Sequence, residues 1–142
     1  MNNQNLYQTD PEFAERWEAF SQHEVPEEPG QELEDTTRYL AILATLVGSQ
    51  SIDYYRELLP EALDHGLTPV MVKEMVYQAV DYLGYGRVYP FLGATNECLT
   101  QRGISLPLEG QATTTMENRL EKGSQVQVDI FGEGMRDFWK NG

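Results

Sequence analysis

The chain has 142 residues, a formal net charge of -13, 40% apolar residues and 11% aromatic ones. That suits one domain with a buried core and excludes wholesale disorder. Residues 1–35 alone carry ten acids against one base, Arg16, a surface that repels phosphate backbones and anionic membranes, so no nucleic-acid or membrane partner is expected.

The longest apolar stretch, Leu40 to Val47, is far shorter than the roughly 20 residues of a membrane span. The start of the chain lacks the basic-then-apolar layout of a secretory signal, which makes the cytoplasm the expected location. A single cysteine, Cys98, excludes an internal disulfide and a cysteine-based metal cluster.

Asp10-Pro11-Glu12 opens a first helix, with a capping carboxylate, a proline in the first turn and an acid near the positive end of the dipole. Phe13, Trp17 and Phe20 follow at helical spacing and are expected to bury one side of it. His23 to Gln31, with two prolines and a glycine, reads as a loop. A second helix is predicted over Asp35 to Val47, with Leu40, Leu43, Leu46 and Val47 inward.

Gly48 breaks that helix, and Ser51 caps a third running to Asp64, with Ile52, Tyr55, Leu59 and Leu63 inward and Pro60 as an interior irregularity. Gly66 suits a left-handed helix end. Thr68-Pro69 starts the most regular helix. Val72, Met75, Val76, Ala79, Val80 and Leu83 form one stripe, with Lys73, Glu74, Tyr77, Gln78, Asp81 and Tyr82 opposite, and Gly84-Tyr85-Gly86 ends it. A fifth helix is predicted over Val88 to Arg102, with Pro90 in its first turn and Gly103 closing it.

Ile104 to Ala112 reads as a linker, and Thr114 with Glu117 forms a capping box that opens a sixth helix through Phe131. No stretch shows strand alternation. The predicted fold is all-α, with about six helices: a helical domain over residues 1–103, and a linker with a helical extension over 104–142. Phe131 to Phe138 repeats the pattern Phe-x-Glu-x-apolar-x-x-Phe of Phe13 to Phe20, so the extension resembles the start of a second copy of the domain.

Three ordered pieces carry a family likeness: Leu33-Glu-Asp-Thr-Thr37-Arg38-Tyr-Leu, then Leu59-x-x-Ala62-Leu63-x-x-Gly66-Leu-Thr68, then Gln78-x-x-x-Tyr82-x-Gly84-Tyr85. The series resembles the carboxymuconolactone decarboxylase family, which includes the alkylhydroperoxidase-type proteins, and covers about half the chain. Leu106-Pro-Leu-Glu-Gly110 to Phe131-Gly132 looks like the bridge of tandem members, so the chain resembles a shortened tandem protein. The resemblance implies a helical domain that assembles as a homo-trimer or hexamer. Tyr77, Tyr82, Tyr85 and Tyr89 add apolar surface that one small bundle does not cover, and are expected at the contacts.

Alkylhydroperoxidase-type members use a Cys-x-x-Cys pair, a histidine four residues on and an upstream glutamate. Aligned on the Ala62-Leu63-x-x-Gly66 hairpin, those positions hold Ser51, Tyr54, Leu58 and Tyr39. None of these can form a thiolate or relay its proton, so peroxidase activity is disfavoured. The decarboxylase branch, which lacks those cysteines, keeps a histidine at the position of Leu58. Its chemistry on a small carboxylated lactone or related ring compound needs a cationic clamp for carboxylates and a proton donor, with no metal or cofactor.

Arg38, Arg87 and Gln78 are the candidate substrate-binding residues; Tyr82, Tyr85 and His65 are the candidate donors. Each has a structural alternative. Arg38 can pair with Asp35 or Glu34, Arg87 can satisfy carbonyls at a helix end, and His65 can stabilise a helix C-terminus. Tyr82 and Tyr85 can be interface or core aromatics, Gln78 a solvated side chain and Cys98 a small buried hydrophobe. The two leading functional readings are thus a cofactor-free decarboxylase and a catalytically silent oligomeric domain that acts as a scaffold or binds a small molecule.

Overall fold

The structure, a computed structural model, describes residues 3–30 and 32–141. Met1 and Asn2, part of the leader reading, and Gln31, the end of the expected loop, lie outside them. Among the described residues every regular element is helical, and no helix is long and apolar enough to cross a membrane. The chain divides into two compact units, Met1–Leu108 and Glu109–Gly142.

The first unit begins with a helical arm: α1 (Asn3–Thr9), α2 (Pro11–Glu18), a wider π-type turn (Ala19–Glu24) and the short α3 (Val25–Glu27). Its body is a ring of four helices, α4 (Asp35–Gly48), α5 (Ile52–Asp64), α6 (Pro69–Leu83) and α7 (Tyr85–Gln101). α4 packs on α5 and α6, and α7 closes the ring against both, so α5 and α6 lie across from each other.

The apolar periodicity places the core. Leu43 and Val47 of α4, Tyr55, Leu59 and Ala62 of α5, Val72 and Val76 of α6, and Val88 and Phe91 of α7 are all essentially excluded from water. Each large one contributes about 1.5–3 kcal/mol on burial. Two glycines set the corners. Gly66 (φ +99°) ends the hairpin from α5, and a Cβ there would sit 3.3 Å from the Thr36 methyl on α4. Gly84 (φ +83°) is at once the cap of α6 and the start of α7. That one-residue corner requires a residue tolerant of positive φ, so α7 starts at Tyr85 rather than Val88 and Pro90 sits beyond its first turn. At the other end of α6, the Thr68 hydroxyl accepts the Met71 N–H at 3.1 Å, capping the helix.

Several expectations are corrected. Phe13, Trp17 and Phe20 are 60%, 40% and 49% exposed. The arm's helical pieces pack on one another, and on α2 only Ala14 is buried; two turns of helix cannot also enclose three large rings. His23–Gln31 is helical over its first five residues, the end of the π-type turn and α3.

In the second unit the sixth helix starts at Arg119, not near Thr114: the Thr115 N–H donates to Asn118 Oδ1 at 2.8 Å, closing a turn just before α8 (Arg119–Phe131). Gly132 (φ +90°) breaks the chain before α9 (Gly134–Asn141). Arg136 joins the two, donating from Nε to Glu133 and from a terminal nitrogen to Gln125 Oε1 at 2.7 Å. The repeated Phe-x-Glu pattern therefore folds in two ways, because Gly132 splits the second occurrence between two helices.

Candidate functional site

α4 and α6 lie side by side and leave an open groove of about 720 Å³ between them. Leu40, Ala41, Ala44 and Gly48 of α4 form one wall; Met71, Met75, Ala79 and Leu83 of α6 form the other. The polar side chains along it are Thr37, Glu74, Gln78 and Tyr82. Leu40, Met75, Ala79 and Leu83 belong to the stripes expected to face inward, yet each is only partly buried. The apolar band on each helix is wider than the core it covers, and the surplus is the groove.

The six candidate site residues fall in three places. Gln78 and Tyr82 line the groove, with Tyr82 88% exposed at its edge. Arg38 and His65 meet on a single ring, that of Tyr39. The Arg38 guanidinium stands 5.0 Å from the Tyr39 centroid, and the His65 ring packs at 4.8 Å. Tyr85 and Arg87 lie in the first turn of α7, where Tyr85 packs edge-on against Tyr89 at 5.5 Å and Arg87 is exposed. Among the described residues no Arg, Lys or His lines the groove. The arrangement brings no cationic clamp to the two candidates that share a cavity.

His65 holds the helix end as its position implies. Its Nδ1 lies 2.9 Å from the Glu61 carbonyl; because a carbonyl only accepts, Nδ1 carries the hydrogen. Tyr39, which sequence reasoning treated only as a replaced glutamate, is the hub of this end. It is buried, and its phenol donates to Glu61 Oε1 at 2.6 Å. Burial and the adjacent Glu61 carboxylate push its pKa up to about 12. The signal for it was present in the sequence: an aromatic one turn before Leu43 on the inward side of α4.

The positions aligned with the redox centre are built into structure. Ser51 precedes α5 with its hydroxyl 2.9 Å from that of Ser49, and Leu58 is part of the core. Tyr54 meets the N-terminal arm in a cleft of about 240 Å³ that Leu6, Ala14 and Trp17 also line. Cys98 lies partly buried on α7, and burial pushes its thiol pKa up, away from a reactive thiolate. Among the described residues no group of three or more His, Cys, Asp or Glu is placed to hold a metal ion.

Compared with models of protein families, with curated proteins and with solved structures, the chain matches none.

Proposed function

We propose that the chain is a carboxymuconolactone-decarboxylase-like helical domain that works by assembling with copies of itself, without redox or decarboxylase chemistry. The observation that carries this reading is the α4–α6 groove, an exposed apolar surface that no basic residue among those described lines. A decarboxylase for a carboxylated lactone needs a cation beside its proton donor; here Tyr82 and Gln78 have none in their cavity. Exposed apolar surface of this kind marks a contact; Tyr77, Tyr85 and Tyr89, exposed at 45%, 60% and 60%, add apolar surface elsewhere on α6 and α7.

A second reading is favoured by the groove's size, which falls within the roughly 300–1,000 Å³ range of small-molecule sites. In it, an uncharged ring compound lies on the apolar walls and bonds to Thr37 or Gln78. Light scattering separates the two when run with and without N-phenyl-1-naphthylamine, an uncharged apolar fluorophore. Assembly well above the 16.2 kDa of one chain, with little probe fluorescence, supports the first. A 16.2 kDa particle that binds the probe supports the second. Turnover of a carboxylated lactone by the purified protein overturns both in favour of the decarboxylase.

A further inference from the structure

We propose that the α4–α6 groove of one copy receives the aromatic face of a second copy's N-terminal arm, in a reciprocal two-fold contact. This rests on the self-assembly reading and names what fills the groove.

Two surfaces of the first unit stay largely open within it, and they complement each other. Phe13, Trp17 and Phe20 recur at i, i+4 and i+7, the anchor spacing by which a helix lies in an apolar groove. Phe13 and Phe20 are the open ends of this face, and Trp17, 40% exposed, shares its inner edge with the Tyr54 cleft. The groove offers small side chains, Ala41 and Ala44, on a wall against which rings can seat. The arm does not fill its own groove: it meets its own bundle at Tyr54 on α5, and α5 lies across the ring from α6. The first unit's own arm therefore leaves the groove open.

Charge opposes this contact rather than driving it: the arm lies in the stretch with ten acids against one base, and the groove is lined by Glu74 and, among the described residues, by no base. The apolar contact must outweigh that repulsion, and it is helped by the sparseness of charge along the groove walls. A partner selected by the arm's acids would need a basic rim, whereas the groove selects for the arm's aromatic face.

The area suffices. An enclosed aromatic side chain buries about 150–250 Å², so at the observed exposures docking covers roughly 300 Å² of each arm. With the matching wall, and repeated across a two-fold axis, the contact reaches roughly 1,200 Å², the lower edge of stable interfaces. A two-fold contact joins two chains into a dimer or two trimers into a hexamer.

The test uses the full chain and two variants at exposed positions, Ala44→Arg to block the groove and Phe13→Ser/Phe20→Ser to disarm the arm. Particle mass is followed by sedimentation velocity, with far-UV circular dichroism confirming that each variant is folded. Each variant alone is expected to halve the particle mass and weaken the contact at least about 30-fold, as loss of a hot spot does. Equimolar mixing should tighten association relative to either variant alone, because the mixed pair keeps one of the two reciprocal contacts intact. Association of the wild type should tighten as salt rises from about 0.05 to about 0.5 M, since salt screens the repulsion between acidic copies.

If Ala44→Arg halves the mass while the arm variant does not, the groove joins copies without the arm; the inference fails and the self-assembly reading stands. Failure of mixing to tighten association beyond either variant alone, or an arm variant that acts while Ala44→Arg does not, also overturns the inference alone. A wild-type particle of 16.2 kDa at every concentration overturns both.

Discussion

Tyr55 donates its phenolic hydrogen to Thr95 inside the bundle, at 2.7 Å, because the Thr95 hydroxyl spends its own hydrogen on the Phe91 carbonyl at 2.8 Å. Both side chains are fully excluded from water. The pair ties α5 to α7 with every buried hydrogen placed.

The direction of that bond makes the two halves unequal. Thr95→Val leaves the Tyr55 hydroxyl buried without an acceptor and should cost about 1–3 kcal/mol. Tyr55→Phe leaves Thr95 still donating to Phe91 and should cost about 0.5–1.5 kcal/mol. Urea unfolding of the two variants checks this; a larger loss for Tyr55→Phe would reverse the donor assignment.

Alkaline stability should follow two phenols. Burial first, with Glu61 second at Tyr39, pushes Tyr39 and Tyr55 up to about 12, from an ordinary value of 10.0. A group whose pKa is raised by folding holds its proton more tightly in the native state. Its contribution is therefore complete below the unfolded value and is lost as pH rises through the folded one. Stability should hold up to about pH 10 and fall between about 10 and 12. Absorbance at the phenolate band should show a late-titrating component from Tyr39 and Tyr55, and Tyr39→Phe should diminish it.

Cys98 should behave as a packing residue. Burial raises its thiol pKa, with the nearby Arg102 pulling the other way as the smaller effect. At neutral pH the thiol should react slowly with a disulfide reagent, and organic hydroperoxide should not be consumed catalytically. Rapid peroxide turnover that disappears in Cys98→Ser would defeat this expectation.

The four body helices were legible because their periodicity and punctuation agree. Asp35, Ser51, Thr68-Pro69, Gly66 and Gly103 mark ends that the structure places within a residue or two. The arm was not, because spacing shows which side chains avoid water without saying what covers them. Phe13, Trp17 and Phe20 have the pattern of a buried face, yet they are 60%, 40% and 49% exposed and only Ala14 of α2 is buried. The groove hid for the same reason: Leu40 and Leu43 lie on one stripe, and nothing local distinguishes the half buried in the core from the half that stays open. His65 and Arg38 come together only through Tyr39, whose burial depends on the packing of α5 against α4, a contact between residues far apart in sequence.

Leu40 and Leu43 offer the most direct separation of folding from assembly. They sit one turn apart on α4; Leu43 is 0% exposed in the core, while Leu40 is partly buried and lines the groove. Leu43→Ala removes atoms packed on all sides and should cost about 2–5 kcal/mol. At Leu40 the missing atoms leave an opening that water enters, so Leu40→Ala should cost the folded chain less than about 1.5 kcal/mol. If the groove is a contact between copies, the ranking inverts for association. Leu40→Ala should weaken the assembly, while Leu43→Ala, measured well below its lowered melting temperature, should leave it nearly unchanged. Urea unfolding and sedimentation on the same two variants give both rankings. Equal effects on association would mean that the groove is not where the copies meet.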